Sequence, residues 1–216
     1  MFKAIRGITM THTSARRRGA VSAAAVALLV GLGTAPASAT TTTTRAPGAA
    51  VGAAAPAAPV ARCATRWGTG AKGTLPVRLS GDTRLTGVRA GRHQCFDRVV
   101  VDLDGTLANR SYSVRYVRAV HQEGSGDRVP LRGGAAIEVV LGAPAYDAKG
   151  RATYVPRNPK ELVNTRGFRT LRQAAWAGSF EGQTTLGLGV AKRTPMRALV
   201  LRGTGADRLV LDIAHR

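Results

Sequence analysis

Along most of the chain beyond its first third, apolar and polar positions alternate with a period of two, the mark of strands that bury one face. Leu85–Arg92 reads as a strand, Phe96–Leu103 as a second and Tyr112–Val120 as a third. Ala135–Ala143, Thr184–Ala191, Arg197–Arg202 and Arg208–Ala214 follow. Turn formers stand between them: Asp104-Gly105, Gly124-Ser-Gly126, Gly133-Gly134 and Gly203-Thr-Gly205. One segment, Asn158–Val163, has helical promise, because Asn158-Pro159 suits the N-cap and first helical positions. The pattern predicts an all-β fold, a β-sandwich or open barrel of about 7–9 strands with one short helix.

One heptad occurs twice. Asp97-Arg-Val-Val-Val-Asp-Leu103 matches Asp207-Arg-Leu-Val-Leu-Asp-Ile213 with conservative changes only. Each copy has an aliphatic face (Val99, Val101, Leu103; Leu209, Leu211, Ile213) and a face reading Arg, Val, Asp. If the copies pair antiparallel and in register, Arg98 faces Asp212 and Arg208 faces Asp102. Each such cross-strand pair contributes roughly 0.2–1 kcal/mol.

The N-terminal residues change the setting. Lys3, Arg6 and Arg16-Arg17-Arg18 form a positive region, residues 20–33 an apolar run, and Ala37-Ser-Ala39 a small-residue cleavage pattern. Residues 1–39 therefore read as a signal peptide cleaved after Ala39, exporting the protein. The apolar run is too short for a membrane span, which needs about 20 residues. Residues 40–62, almost pure Thr, Ala, Pro, Gly and Val, cannot bury enough apolar surface to offset ordering entropy and read as a disordered linker. Residues 63–216 remain as one domain. Its two cysteines, Cys63 and Cys95, are the only ones in the chain, and in an oxidising compartment the pair reads as a disulfide. Closing that loop of about 33 residues stabilises the fold by roughly 3–4 kcal/mol in the chain-entropy model.

The formal charge is +20; five of the 32 basic residues and none of the 12 acidic ones lie in residues 1–39, which leaves +15 beyond them. Such a balance favours anionic partners such as wall polymers. It is also how a GC-rich genome writes an ordinary surface, since most of the cations are arginines.

Few motifs promise chemistry. Asp102-Leu-Asp104-Gly-Thr106 resembles the first motif of haloacid dehalogenase phosphatases, in which the first aspartate attacks phosphorus beside Mg2+. That alternative requires a doubly wound α/β fold, and the segment after Leu107 reads as another strand. His93 and Asp97 have a spacing open to a metal, but His93, His121 and His215 fall in separate elements, so no metal or cofactor is assigned. Gly187-Leu-Gly189 lacks the third glycine of a phosphate loop and lies in a strand. One stretch looks like more than scaffold: Arg172–Leu186 sets Trp176 and Phe180 beside glycines, Glu181 and Gln183. Aromatic faces with nearby hydrogen-bonding groups suit glycan or peptide recognition. Singly, the two aromatics also fit core plugs at a bend; Glu181 and Gln183 do not.

The segments Cys63…Trp67-Gly68, Gly91-Arg-His93, Cys95-Phe-Asp-Arg98, Tyr112…Arg115-Tyr-Val117 and Val129-Pro-Leu-Arg-Gly-Gly134 share a recognisable style. So do Ala143-Pro-Ala-Tyr-Asp147, Trp176–Gly189 and Ala214-His215. With them, residues 63–216 resemble the AMIN-like domains of secreted high-GC bacterial proteins, relatives of AMIN domains. The resemblance implies a β-sandwich module that localises envelope proteins by contact with peptidoglycan, and it transfers no catalytic residues. AMIN domains accompany an amidase or secretin half, which residues 1–216 are not expected to include. The expected function is a secreted, non-catalytic cell-envelope binding module whose ligand is peptidoglycan or an anionic wall polymer. Candidate contacts are Arg92, His93, Tyr146, Trp176, Phe180, Glu181 and Gln183. An envelope protein docked on a free sheet edge is the other partner class; no nucleic acid and no membrane span are assigned.

Overall fold

The computed structural model describes residue 63 and residues 65–216. The expected signal sequence over 1–39 and linker over 40–62 lie outside the described residues. The alternating segments form strands: β1 (Lys72–Gly73), β2 (Arg84–Arg92), β3 (Phe96–Asp104), β4 (Tyr112–Val117), β5 (Val120–His121) and β6 (Arg128–Val129). After them come β7 (Ala135–Leu141), β8 (Leu171–Phe180), β9 (Gln183–Val190), β10 (Met196–Leu201) and β11 (Arg208–Ala214). They build a five-stranded sheet, β1-β4-β7-β9-β8, a four-stranded sheet, β10-β11-β3-β2, and the small pair β5-β6. The fold is all-β and sandwich-like. The core lies between the two large sheets, where Leu85, Val101, Leu211 and Ile213 of one meet Ile137, Leu171, Leu186 and Leu188 of the other. Stacked sheets share apolar side chains in this way across roughly 10 Å.

The repeated heptads are β3 and β11, and they pair antiparallel with Val100 opposite Val210. Their aliphatic faces point into the core as the alternation requires, with Leu103 and Leu211 each 3% exposed and Ile213 fully buried. Arg98 and Asp212 do meet: Arg98 Nε and Nη2 donate to Asp212 at 2.6 and 2.9 Å. The reciprocal pair does not form. Arg208 stands opposite Asp102 in register, yet Asp102 accepts from Arg89 Nε and Nη2 at 2.8 and 3.0 Å. Gly87, across from Asp102 on β2, leaves room for Arg89 to reach diagonally. Nor is Asp212 a surface residue: it is fully buried and also accepts from Arg197 Nε at 2.9 Å.

The first residue of each heptad has a role that alternation alone does not show. Asp97 and Asp207 share the core-facing parity, and both are buried. Asp97 Oδ2 accepts from the backbone N–H of Thr170 and Leu171 at 2.6 and 2.9 Å, and Oδ1 faces His215 Nε2 at 3.0 Å. Asp207 Oδ2 accepts from Leu107 N–H at 2.8 Å and from Arg202 Nη1 at 2.5 Å. Each carboxylate thus satisfies backbone donors that would otherwise be buried unpaired, one at each end of the β3–β11 ribbon.

Three expectations change. No helix occurs among the described residues. At Asn158–Val163 the Pro159 carbonyl accepts from Trp176 N–H at 2.7 Å, and Leu162 N–H donates to the Ala174 carbonyl at 2.8 Å. The segment spends its backbone groups on the free edge of β8 instead of on its own helical turn, which also covers an edge that would otherwise invite aggregation. β8 itself escapes a period-two reading because bulges between Leu171 and Gln173 and between Trp176 and Ser179 break its alternation. The expected strand Tyr112–Val120 ends at Val117, and Val120 turns off to pair with Val129. The Cys63–Cys95 disulfide is formed, and Cys95 lies in the turn between β2 and β3, one residue before β3 begins.

Candidate groove on the outer face of the five-stranded sheet

A groove of about 410 Å3 opens on the face of the five-stranded sheet turned away from the core. Its first wall is the strap Val129–Arg132, laid directly on β9. That closeness is written in glycines: a Cβ on Gly189 would overlap the Arg132 carbonyl oxygen, and one on Gly187 would press on Leu131 at 3.1 Å. The second wall is Pro159–Glu161 along the β8 edge, the floor is Gln173 and Ala175, and Trp176, whose side chain packs on the core side with Tyr154, borders it. Gln173, 5% exposed, ties the walls together. Its Oε1 accepts from Arg132 N–H at 2.7 Å and its Nε2 donates to the Lys160 carbonyl at 2.9 Å.

The Arg132–Glu161 ion pair closes one end of the groove; Arg132 Nη2 donates to Glu161 Oε2 at 3.1 Å and to the Arg172 carbonyl at 2.8 Å. The hydrogen bond and charge of Glu161 raise the Arg132 pKa above its ordinary value, so the bridge keeps its cation. Beyond this bridge lies a second depression of about 570 Å3, lined by Asn164, Thr165, Arg166 and Arg172. An apolar trough with Leu131 and two prolines therefore runs into a cationic basin. The Trp176 ring stands 5.7 Å from that of Tyr154, and burial pushes the Tyr154 phenol up.

The seven sequence-derived candidates do not converge. Trp176 borders the groove, its side chain packed on the core side of β8. Tyr146, Phe180, Glu181 and Gln183 gather at the tip of the β8–β9 hairpin, where Phe180 pairs with Gln183. Glu181 and Gly182 have φ of 48° and 80°, a two-residue turn with both centres left-handed, and the Tyr146 hydroxyl accepts from Gly182 N–H at 2.9 Å. Glu181 is thus explained as a turn residue, and Phe180 projects 50% exposed. Arg92 and His93 sit at the other end of the sandwich, beside the start of β8, with His93 stacked on Phe96 at 4.5 Å between ring centres. β8 separates the two groups by roughly 30 Å at 3.3 Å per residue.

The phosphatase alternative has no scaffold. Asp102 and Asp104 lie on β3, Asp102 is engaged by Arg89, and the chain after Leu107 leads to β4 rather than to a helix. Nor do His93 and Asp97 share a site of metal type, since both Asp97 oxygens are already committed.

A family model for the AMIN-like domain matches residues 83–215. The chain belongs to the AMIN-like domain family. No curated protein and no solved structure matches it. The family points to a cell-wall-related binding module, in keeping with an all-β disulfide-bonded domain in which no described helix is long and apolar enough to cross a membrane. Within this AMIN-like domain the groove residues Gln122, Pro130, Arg132, Pro159, Glu161 and Gln173 escaped sequence reasoning. The available signals were indirect: Gly187 and Gly189 in a strand mark a close backbone approach, and Val129-Pro-Leu-Arg132 is a Pro-led strap beside them.

Proposed function

We propose that this protein is exported through the signal over residues 1–39, and that its AMIN-like domain is a non-catalytic module that holds it in the cell envelope by binding peptidoglycan in the groove bordered by Trp176. The observation that carries this reading is the make-up of the groove. Leu131, Ala175 and two prolines stand beside Gln122, Lys160 and the Arg132–Glu161 pair, with Trp176 at the margin and its side chain on the core side, and the trough runs on into a basin with Arg166 and Arg172. Sugar rings present apolar faces to such a floor and hydroxyls to polar rims, and the stem peptides of the wall carry carboxylates for guanidiniums. A purely anionic polymer would use the basin and the basic surface but leave the apolar trough idle.

Co-sedimentation of the protein with purified sacculi, before and after stripping of anionic polymers and across a salt series, tests this. Retention by stripped sacculi that resists salt, and that falls about tenfold in affinity in Gln122→Ala, is the expected result, the loss of one rim hydrogen bond of about 1.4 kcal/mol. Trp176→Phe, which keeps the packing against Tyr154, should leave retention unchanged. Retention that vanishes on stripping or in salt would reduce the binding to surface charge. No retention at all would transfer the role to a protein partner.

A further inference from the structure

At the far end of the sandwich from the β8–β9 tip lies a pocket of about 280 Å3, lined among others by Arg92, Gln94, Asp97, Arg169 and His215. Four separate parts of the chain meet there: the end of β2, the start of β3, the loop before β8 and the residue after β11. Their meeting is enforced from beneath by the buried Asp97, which holds Thr170 and Leu171 through its Oδ2 and His215 through its Oδ1.

The charges at this site are unbalanced. Arg169 has no hydrogen-bond or ion-pair partner among the described residues, and Arg92 makes one long contact of 3.5 Å, from Nη1 to the Gly167 carbonyl. The one acidic side chain lining the pocket, Asp97, has both oxygens committed, so it does not serve either guanidinium. His215 keeps a side chain only 9% exposed. With Nε2 donating to Asp97, its Nδ1 is a buried acceptor without a partner. The exposed Gln94 amide at the rim has no partner among the described residues and offers both a donor and an acceptor.

From these features we infer that the pocket is a second binding site, one that takes the free C-terminal carboxylate of a peptide. Arg92 and Arg169 supply fork-shaped donors for a carboxylate, the best geometric match to such a group. The peptide's last amide N–H and the carbonyl before it are the complement of the exposed Gln94 amide, which offers an acceptor and a donor. A phosphodiester matches the guanidiniums equally but brings no donor, which is why the peptide is favoured. The proposed wall-binding role enters only as the source of such peptides. The site is built from residues distinct from those of the groove on the five-stranded sheet.

Calorimetric titration of the full chain at physiological salt, with three probes, tests the assignment: an N-acetylated dipeptide acid, the same dipeptide capped as its C-terminal amide, and inorganic phosphate. The acid should bind, and the amide should bind about tenfold more weakly or not at all, since a charge-assisted bidentate contact is lost. Phosphate should be the weaker of the two anions. Arg92→Gln combined with Arg169→Gln, both exposed and free of carboxylate partners, should cost the acid about tenfold or more in affinity, while Gln122→Ala leaves it unchanged. Equal binding of acid and amide, phosphate binding as tightly as the acid, or undiminished binding by the double arginine variant would each overturn the assignment. So would the absence of binding by the acid. If sacculi are retained through the groove while the acid fails to bind, this inference falls alone. If the acid binds and sacculi are not retained, the wall-binding role falls and the peptide site stands.

Discussion

Replacing Asp97 tests whether a single buried carboxylate organises one end of the sandwich. Asp97→Ala would strand three donors at once: the N–H groups of Thr170 and Leu171 and Nε2–H of His215, now held at 2.6, 2.9 and 3.0 Å. A buried donor left without an acceptor costs about 1–3 kcal/mol. The adjacent pocket admits some water, which puts the sum at the low end, about 3–5 kcal/mol. For a domain of this size each kcal/mol moves the midpoint by about 2–4 °C, so a fall of roughly 10–15 °C is expected. Asp97→Asn separates charge from hydrogen bonding. Its carbonyl oxygen can keep both backbone donors while its NH2 turns to His215, which must then move its proton to Nδ1, an atom with no partner among the described residues. That transfers one unsatisfied group instead of creating three, and about 1–2 kcal/mol is expected. Urea unfolding followed by circular dichroism gives both numbers from one series of curves. An Asp97→Ala loss below about 1 kcal/mol, or an Asn variant as damaged as the Ala variant, would refute the reasoning.

Other outcomes follow from the same geometry. Burial alone pushes the Asp207 carboxyl up, but the hydrogen bonds from Leu107 N–H, Arg202 and Gly203 N–H and the Arg202 charge outweigh it and hold the group below the ordinary carboxylate range. Its stabilisation is therefore present above about pH 4 and lost as pH falls through the lowered pKa; Asp207→Asn should flatten the acid limb of a melting-temperature profile below about pH 4. The swap Arg98→Asp with Asp212→Arg should recover little of what the single variants lose, because Arg197 still faces position 212 at the buried end of the pair; recovery near wild type in a double-mutant cycle would show that Arg197 contributes nothing. Glu181→Asn should raise stability by about 0.5–1 kcal/mol in thermal unfolding, since Asn tolerates the left-handed backbone that Glu181 adopts at φ 48° better than glutamate does.

How much of this was legible beforehand varies with the residue. The strands containing Val99–Leu103 and Leu209–Ile213 declared themselves, because a sheet with one buried face must alternate, and their repeat foretold the antiparallel register and the Arg98–Asp212 pair. Asp102 went to Arg89 instead of Arg208 because a third strand, β2, brought a closer arginine past Gly87. β8 was hidden by its two bulges and read as a binding stretch, a reading that placed Trp176 beside a groove but scattered Phe180, Glu181 and Gln183 to a hairpin tip. The Asn158-Pro159 start signal was real as a turn, with Asn158 Oδ1 accepting from Lys160 N–H at 3.0 Å, but the helix lost to the unpaired edge of β8.

What the sequence alone determined is what depends on neighbours along the chain: strand positions, turn sites, the family and the presence of a cysteine pair to bridge. Local sterics and the two-residue period of a pleated strand settle these without knowledge of the whole. Only the tertiary structure decided which sheet each strand joins, which arginine each aspartate holds, and that the Val129–Arg132 strap and the Pro159–Glu161 segment face each other across Gln173. Those outcomes turn on competition between groups far apart in sequence, and a carboxylate or a strand edge takes whichever partner the packed core brings within about 3 Å.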